Sequence, residues 1–254
     1  MRLRATSLNI VRANYTPPVI VGGNPIFAIP DLSFYYTTAE DLTLRADNDP
    51  ITSIADLRPS GSIAFSNTGT ARPTWKTGGK NGKPYLSFDG IDDVLDGSGP
   101  FLTAGNNDLS IFCVLETDTV FREIWSYGTG GSTGRLIGLR QHDTTKLRNI
   151  IWSRDFENTG ITTFENKSFI HEFTHQASVT TTSSNVWVDG LTITANRTDV
   201  TLNLPVTPAQ IRIGRDGGTP YGGKIYAFIA FNKQLTTGER TTVINHLHSL
   251  YGAF

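Results

Sequence analysis

Residues 168–179, SFIHEFTHQASV, match two patterns that require different backbone structures. One is the H-E-x-x-H pattern of zinc peptidases, which lies on a helix, and the other is the two-residue alternation that is typical of a strand. The peptidase pattern works only on a helix, where His171 and His175 would share a face and reach one Zn²⁺. Here the residues alternate with a period of two, and the threonines that follow favour a strand. The first set is Phe169, His171, Phe173, His175, Ala177 and Val179, and the second is Ile170, Glu172, Thr174, Gln176 and Ser178. In a strand the two imidazoles lie about 13 Å apart. We therefore predict a β-strand and no zinc site.

Composition indicates an all-β protein that neither binds nucleic acid nor inserts into a membrane. The chain has 254 residues, of which 25 are glycine and only 18% are charged. Its formal net charge is −1, so no basic field attracts nucleic acid. No segment approaches the roughly 20 apolar residues of a membrane span. The N-terminus holds no apolar run of signal-peptide length, so we expect the protein to be made in the cytoplasm.

Short strands separated by turns are predicted from about residue 31 onwards. Asp89-Gly90 and Asp189-Gly190 are turn signals between them. Regular spacing of this kind indicates a two-sheet sandwich or jelly roll. Among the predicted strands are residues 85–88, 109–116, 123–127, 136–140, 149–153, 185–188, 210–213 and 224–231. Among the predicted core residues are Phe169, Phe173, Val179, Ile225 and the lone Cys113.

One helix is predicted near the C-terminus. Thr236 and Glu239 form a capping box, and Gly252 ends the helix. His246 and His248 lie 200° apart on this helix, so they cannot form one site and are expected at the surface. The apolar stripe consists of Val243, Ile244, Leu247 and Leu250.

Residues 1–30 differ from the rest and are predicted to form an extended arm. Four prolines and Gly22-Gly23 exclude a helix, yet residues 19–21 and 26–29 are too apolar for a solvated linker. The arm must therefore lie against its own domain or against a neighbouring chain. The residues expected to mediate this contact are Arg2, Arg4, Arg12, Ile20 and Phe27.

Three stretches together resemble the laminin-G-like, concanavalin-A-like jelly-roll superfamily, especially its bacterial and phage modules. They are KNGKPYLSFDGIDDVL at residues 80–95, VWVDG at residues 186–190, and IRIG followed by GKIYAFIAFNKQL within residues 211–235. The match covers residues 31–254, which we take as one domain. The resemblance implies two stacked antiparallel sheets with a concave face, and the short C-terminal helix follows its last motif. The N-terminal arm lies outside the resemblance.

The resemblance also implies glycan binding in many relatives, and glycoside hydrolysis in some. Laminarinase-like relatives carry E-x-D-x-x-E or E-x-D-x-E on one strand, whereas this chain has ETDTVF from Glu116 onwards. Val120 and Phe121 stand where the second glutamate belongs, so no catalytic residue is assigned and no enzyme is predicted. For glycan binding, Trp152 and Arg154 on one face of a strand are the candidate pair. Most other large aromatics are expected in the core.

An acidic cluster is the candidate metal site. Asp89, Asp92 and Asp93 offer the oxygen ligands that Ca²⁺ prefers. The alternative is that these side chains only complete a turn, as aspartates after a strand often do. The prediction is therefore no cofactor, with calcium as the exception left open.

Three functions remain open: a structural protein of a virus-like assembly, a carbohydrate-binding or adhesion module, and a glycoside hydrolase of the same fold. We expect the first, a non-enzymatic virion-associated protein on a phage-like head or tail. Its sandwich would face outward, and its arm would tether it. The expected partners are further copies of the chain, as a trimer, and other structural proteins of the assembly, with glycans as a further candidate.

Overall fold

The computed structural model describes most of the chain after the first 22 residues. The described residues are 23–97, 99, 101–118, 122–128, 136–153, 155–157, 164, 166–177, 183–197, 201–205, 211–215 and 219–254. Within these ranges the chain forms sixteen strands, one α-helix and two 3-10 turns. No helix within them is both long enough and apolar enough to cross a membrane.

The strands in chain order are β1 (Leu32–Thr37), β2 (Ser53–Ala55), β3 (Ala64–Ser66), β4 (Thr74–Lys76), β5 (Tyr85–Asp89), β6 (Leu95–Gly97), β7 (Leu109–Thr117), β8 (Arg122–Gly128), β9 (Leu136–Asp143), β10 (Lys146–Ile151), β11 (Phe156–Glu157), β12 (Ser168–Gln176), β13 (Ser183–Val188), β14 (Leu191–Arg197), β15 (Ile211–Ile213) and β16 (Gly222–Phe231). The helix is α1 (Thr237–Tyr251), and the 3-10 turns are Pro25–Ala28 and Lys80–Gly82.

The strands form two eight-stranded sheets, and the pairings among the described strands are antiparallel. The first sheet has the order β14-β13-β12-β7-β16-β5-β4, and β1 also pairs with β16. The second has the order β11-β10-β9-β8-β15-β6-β3-β2. The predicted all-β, two-sheet sandwich with one C-terminal helix is therefore confirmed.

Aromatic side chains fill the space between the two sheets. Phe228 on β16 lies 5.5 Å from Trp125 on β8, measured between ring centroids. Phe34 on β1 approaches Phe65 on β3 to 5.1 Å. Edge-to-face contacts of this kind add to the free energy gained by burying large apolar surfaces. Aromatic contacts across the sandwich therefore contribute, together with the aliphatic residues of the same core, to holding the two sheets together.

Residues 168–176 form a strand, as the alternation predicted. Phe169 and Phe173 lie in the core between the sheets, and the predicted core residue Ile225 is buried there too. Val179 lies outside the described residues. The opposite face of β12 is also buried, because Ile170 belongs to a second apolar cluster under α1.

Helix α1 covers the outer face of the first sheet. Its capping box forms as predicted, with the Thr236 hydroxyl accepting from the Glu239 amide and the Glu239 carboxylate accepting from the Thr236 amide. Val243 and Leu247 are fully buried against the sheet. The prediction that His246 lies at the surface is wrong: it is buried at 8% exposure, because the face that carries Val243 also carries His246 one turn later.

Of residues 1–30, only residues 23–30 are described. The expectation that prolines exclude a helix there needs correction, because Pro25 begins a short 3-10 turn. The Asn24 side chain caps this turn by accepting a hydrogen bond from the Ile26 amide. Proline suits the first position of a helical turn, where its missing N–H costs nothing. Ile26 and Ile29 are buried in the cluster under α1. Arg2, Arg4, Arg12 and Ile20 lie outside the described residues.

Replacing Phe173 by alanine tests the core assignment. Phe173 is 3% exposed, so Phe173→Ala should lower the free energy of unfolding by about 3–5 kcal/mol through the cavity it leaves. Leu44→Ala is the control, because Leu44 is 90% exposed and its loss should change stability little. Urea unfolding followed by tryptophan fluorescence measures both. Equal midpoints for the two variants would contradict the packing.

Candidate functional site

The H-E-x-x-H residues are structural side chains in this fold. His171 Nε2 lies 2.9 Å from Asn149 Oδ1 on the second sheet. His175 lies 2.9 Å from both the Ser184 hydroxyl and Asn106 Oδ1. Glu172 points to the other face of β12, where Arg240 of α1 binds its carboxylate with an Nη2–Oε2 distance of 2.8 Å. The strand thus separates the three groups that a zinc peptidase must bring together.

Burial keeps both histidines of β12 neutral. Loss of hydration lowers the pKa of His171 to about 3. The same cause lowers the pKa of His175 to about 4, against the opposing charge of Asp108. A neutral imidazole can both donate and accept a hydrogen bond, which suits the neighbouring amides and hydroxyl. These histidines therefore connect strands and sheets rather than perform chemistry.

Glu116, the first carboxylate of the hydrolase pattern, and Glu123, which follows the pattern on β8, are each paired with a cation. Glu116 lies at the end of β7, where the Lys224 ammonium is 2.6 Å from one oxygen and the Ser168 hydroxyl is 2.7 Å from the other. Glu123 on β8 accepts from Arg140 in the same way. A glycosidase needs one carboxylic acid that releases a proton and a second carboxylate that attacks or activates water. Val120 and Phe121, the two positions where the pattern has its second glutamate, lie outside the described residues.

Two aspartates of the acidic cluster accept hydrogen bonds from backbone amides of their own turn. Carboxylate oxygens of Asp89, Asp92 and Asp93 lie within 4.8 Å of one another. Asp89 Oδ1 accepts from the amides of Ile91 and Asp92, and Asp93 Oδ2 accepts from the Asp89 amide. Burial raises the pKa of Asp93 to about 6. Because Ca²⁺ takes six to eight oxygens, three such side chains are an incomplete ligand set, and the expectation of no metal, with calcium left open, stays a prediction.

Most of the large aromatics lie in the core, as expected. Trp75, Trp125, Tyr127 and Tyr221 are buried, and so is Cys113, whose thiol pKa is raised by burial. Trp187 is half-buried on β13 beneath Arg240, whose guanidinium carbon lies 3.6 Å from the ring centroid. Trp152 differs from all of these, since it is 42% exposed.

Trp152 stands on the outer face of the second sheet. Its amide donates to the Leu136 carbonyl at 3.0 Å, which continues the β9–β10 ladder and places Trp152 on the same face as Arg148. Asn149 and Ile151 point the other way, into the sandwich. Arg154, the other residue of the predicted pair, lies outside the described residues. The sequence predicted a strand that continues to Arg154, whereas β10 ends at Ile151 and Trp152 lies in the turn that follows; its role in glycan binding stays a prediction.

Charged residues share the outer face of β9 and β10 with Trp152, and we call this surface the polar face. Arg148 donates to Glu157 across the β10–β11 pair at 2.6 Å, and its other neighbour is His142 at 3.3 Å. Hydrogen bonds from Arg148 hold the pKa of Glu157 below its ordinary value. These side chains are about one quarter exposed, so their edges remain open to a ligand. The polar face consists of Arg140, His142, Lys146, Arg148, Trp152 and Glu157.

A second concave feature lies on the opposite side of the molecule. We call it the α1 groove: an open cleft of 1180 Å³ between α1, the 3-10 turn at residues 25–28 and the segment 39–43. At its base the Tyr35 hydroxyl donates to Glu40 and lies 2.8 Å from His246 Nε2. Burial, and then the Glu40 charge, raise the pKa of Tyr35, so the phenol keeps its proton.

Sequence reasoning missed the α1 groove because its groups come from opposite ends of the chain. Tyr35 and His246 are 211 positions apart, and no local pattern links them. One signal was present in the sequence. His246 follows Val243 by three residues, which places it beside the apolar stripe of α1 rather than opposite to it.

Comparison with known proteins identifies a fold and no family. No protein-family model matches the chain, and no curated protein matches it. Among solved structures it is similar to the binding domain of botulinum neurotoxin serotype D, with a TM-score of 0.54, 11% identity, and coverage of 78% of this chain and 51% of that chain.

Two enzymes with similar structures are also found. Trypanosoma rangeli sialidase gives a TM-score of 0.58 at 12% identity, over 89% of this chain and 34% of that chain. A GH54 α-L-arabinofuranosidase gives 0.55 at 12% identity, over 80% and 51%. The chain thus spans between one third and one half of these solved chains. At such low identity the matches show the sandwich fold, in keeping with the resemblance drawn from the sequence.

The buried histidines should make the fold sensitive to mild acid. The unfolded chain takes up protons as pH falls through about 6.5, whereas folded His171 and His175 resist protonation down to pKa values of about 3 and 4. Stability is therefore lost as pH falls from 7 towards 4. We expect a loss of roughly 2 kcal/mol per histidine between pH 7 and pH 5.

Urea unfolding at several pH values measures this effect. The matched control is the double variant His171→Gln, His175→Gln, whose amides do not titrate and can still hydrogen-bond. Its stability should fall less between pH 7 and pH 5 than that of the wild-type chain. An identical pH dependence of the two proteins would contradict the assignment.

Proposed function

We propose that this chain is a non-enzymatic glycan-recognition domain and that the polar face binds the sugar. The observation that carries the proposal is the 42% exposure of Trp152 at the end of β10. Trp152 directly follows β10, and its amide donates to the Leu136 carbonyl, so the exposed ring is held beside the sheet where a ligand can cover it. The flat ring of Trp152 offers such a ligand an apolar stacking surface.

The neighbouring charges complement the hydroxyl groups of a sugar. Arg148 and Glu157 supply fixed donors and acceptors, and their ion pair holds both side chains in place. About four residues separate Arg148 from Trp152 along β10, which corresponds to roughly 13 Å. A ligand that uses both is therefore longer than one sugar ring. Oligosaccharides are the ligand class that combines apolar ring faces with dense hydroxyl groups.

The state of the carboxylates supports recognition rather than hydrolysis. Glu116, Glu123 and Glu172 each contact a lysine or arginine. A carboxylate that is already bound by a cation is not free to bind the sugar or to activate water, as a glycosidase requires. Similar structures include a toxin binding domain and two glycosidases, so the fold is compatible with both kinds of protein.

Trp152→Ala tests the polar face. We expect the wild-type chain to bind a subset of oligosaccharides on a glycan array, and the variant to lose at least about tenfold in affinity, equivalent to 1.4 kcal/mol. Ile91→Ala is the matched control, because Ile91 is 74% exposed and lies outside the polar face. It should bind as the wild type does, and both variants should melt at the wild-type temperature.

Two results would contradict this proposal. One is a glycan array on which the wild-type chain binds no sugar. The other is hydrolysis of chromogenic glycosides by the purified chain, which would make it an enzyme.

The second candidate function is a structural one: a virion-associated protein of a phage-like head or tail, joined to its neighbours by the N-terminal segment. The observation that favours it is the anchoring of residues 25–29. Ile26 and Ile29 are buried against the domain, so any partner held by the preceding residues is held firmly to the sandwich. A loose linker would transmit no such constraint.

Deleting residues 1–22 tests the structural role. The deletion stops before Asn24 because removal of Ile26 and Ile29 would expose the apolar cluster under α1. We expect the shortened chain to keep its far-UV spectrum of a β protein but to be absent from particles assembled in its natural host. Particles that incorporate it as well as the full chain would overturn this second candidate.

A further inference from the structure

The walls of the α1 groove are apolar, and its opening is wide. Leu42 is 71% exposed and Phe27 is 38% exposed, although both line the cleft, and Leu57 and Leu250 complete the walls. Its 1180 Å³ exceeds the roughly 300–1,000 Å³ of a pocket for a small molecule. Exposed apolar side chains around a cleft of this size suit an extended peptide segment.

The base of the groove carries a negative charge. Although burial opposes it, hydrogen bonds from His246, Tyr35 and Thr37 hold the pKa of Glu40 below its ordinary value. The Asn24 amide also donates to this carboxylate, at 3.2 Å. Glu40 remains 15% exposed towards the cleft. The groove therefore favours a segment that combines apolar and basic side chains.

Charge around the groove is not uniform. Asp41 also lines it, but Arg45 pairs with that carboxylate, and Lys83 stands on the rim. Of the two carboxylates in the lining, Asp41 is paired with Arg45, whereas the described partners of Glu40 are the Tyr35 and Thr37 hydroxyls, the Asn24 amide and the His246 ring, whose Nε2 lies 3.5 Å away. A basic side chain that enters the cleft would find its partner there.

The first 22 residues of this chain have the composition that the groove favours. They contain Arg2, Arg4 and Arg12 and no acidic residue. They also contain the apolar side chains Leu3, Leu8, Ile10, Val11, Val19, Ile20 and Val21. Apolar residues cover the walls at a gain in free energy, and an arginine beside Glu40 adds a charge-assisted contact.

The same segment ends at the mouth of the groove. Asn24 and Pro25 line the cleft, so the residues that precede Gly23 begin at its edge. Gly23 has a φ of 74°, a conformation that glycine adopts without strain and that lets the chain reverse direction. Tethering at this point gives the segment an effective concentration in the millimolar range for its own groove.

We infer that residues 1–22 of the same chain occupy the α1 groove. Their apolar side chains cover Leu42 and Phe27, and an arginine faces Glu40. This interaction uses the side of the sandwich opposite to the polar face, so it stands whether or not the glycan proposal holds. A second copy of the chain is the competing source of the same segment.

Hydrogen–deuterium exchange on the full-length protein tests the inference. Amides of residues 1–22 should exchange at least about tenfold more slowly than in a free peptide of the same sequence, because the docked segment is shielded. Light scattering on the same sample at low micromolar concentration should give the mass of one chain. Dilution should then leave the protection unchanged.

Two matched variants connect the protection to the groove. Leu42→Arg places a charge in the cleft that repels the segment, whereas Leu44→Arg places it two residues away at a 90% exposed position outside the lining. Because both leucines are exposed, neither variant should unfold the sandwich. The first should restore free-peptide exchange rates in residues 1–22, and the second should keep the wild-type protection.

Three outcomes would overturn the inference. Free-peptide exchange rates in the wild-type chain would leave the groove without this occupant. Protection that survives Leu42→Arg would place the segment elsewhere. Light scattering that gives a multiple of the chain mass, with protection of residues 1–22 lost on dilution, would assign the groove to the segment of a second copy. That result would agree with the homo-oligomer expected from the sequence.

Discussion

The backbone ladder of β16 is the interaction on which the rest of the structure depends. This strand pairs with β7 along its length, with β5 through Gly222 to Ile225, and with β1 through its second half. Its side chains are buried on both faces: Phe228 joins the aromatic core between the sheets, while Ile229 lies under α1. A strand so placed cannot shift by one residue without exchanging its two faces.

The short connection to β16 determines where helix α1 lies. Only five residues separate the end of the strand from the first residue of the helix, so α1 must fold back onto the sheet it has just left. Arg240 then fixes its orientation, because the guanidinium binds Glu172 and stacks on Trp187 at the same time. Each of these charges is nearly buried, and each would cost free energy without the other.

The position of the helix makes the two faces of the sandwich different. On the first sheet, α1 and residues 25–29 cover apolar side chains and leave the α1 groove between them. On the second sheet, ion pairs such as Arg148–Glu157 lie at the surface on the same face as Trp152. The two proposals therefore concern opposite sides of one domain. A segment that is docked in its own groove would leave the polar face free, and would have to leave the groove before it joined a neighbour.

The sequence alone determined the features that depend on neighbouring residues. Alternation around Phe173 predicted a strand in place of a zinc helix, Thr236 and Glu239 predicted the start of α1, and the period of β10 placed Trp152 opposite to the core. Each follows from contacts within a few residues, where backbone geometry fixes which side chains share a face. Only the tertiary structure decided what covers each face. The sequence predicted His246 at the surface, but in the fold it is covered by Tyr35 and Glu40, which lie more than 200 positions away in the chain. Local sequence patterns do not predict such long-range contacts. The α1 groove is formed by contacts of this kind, so only the tertiary structure shows it.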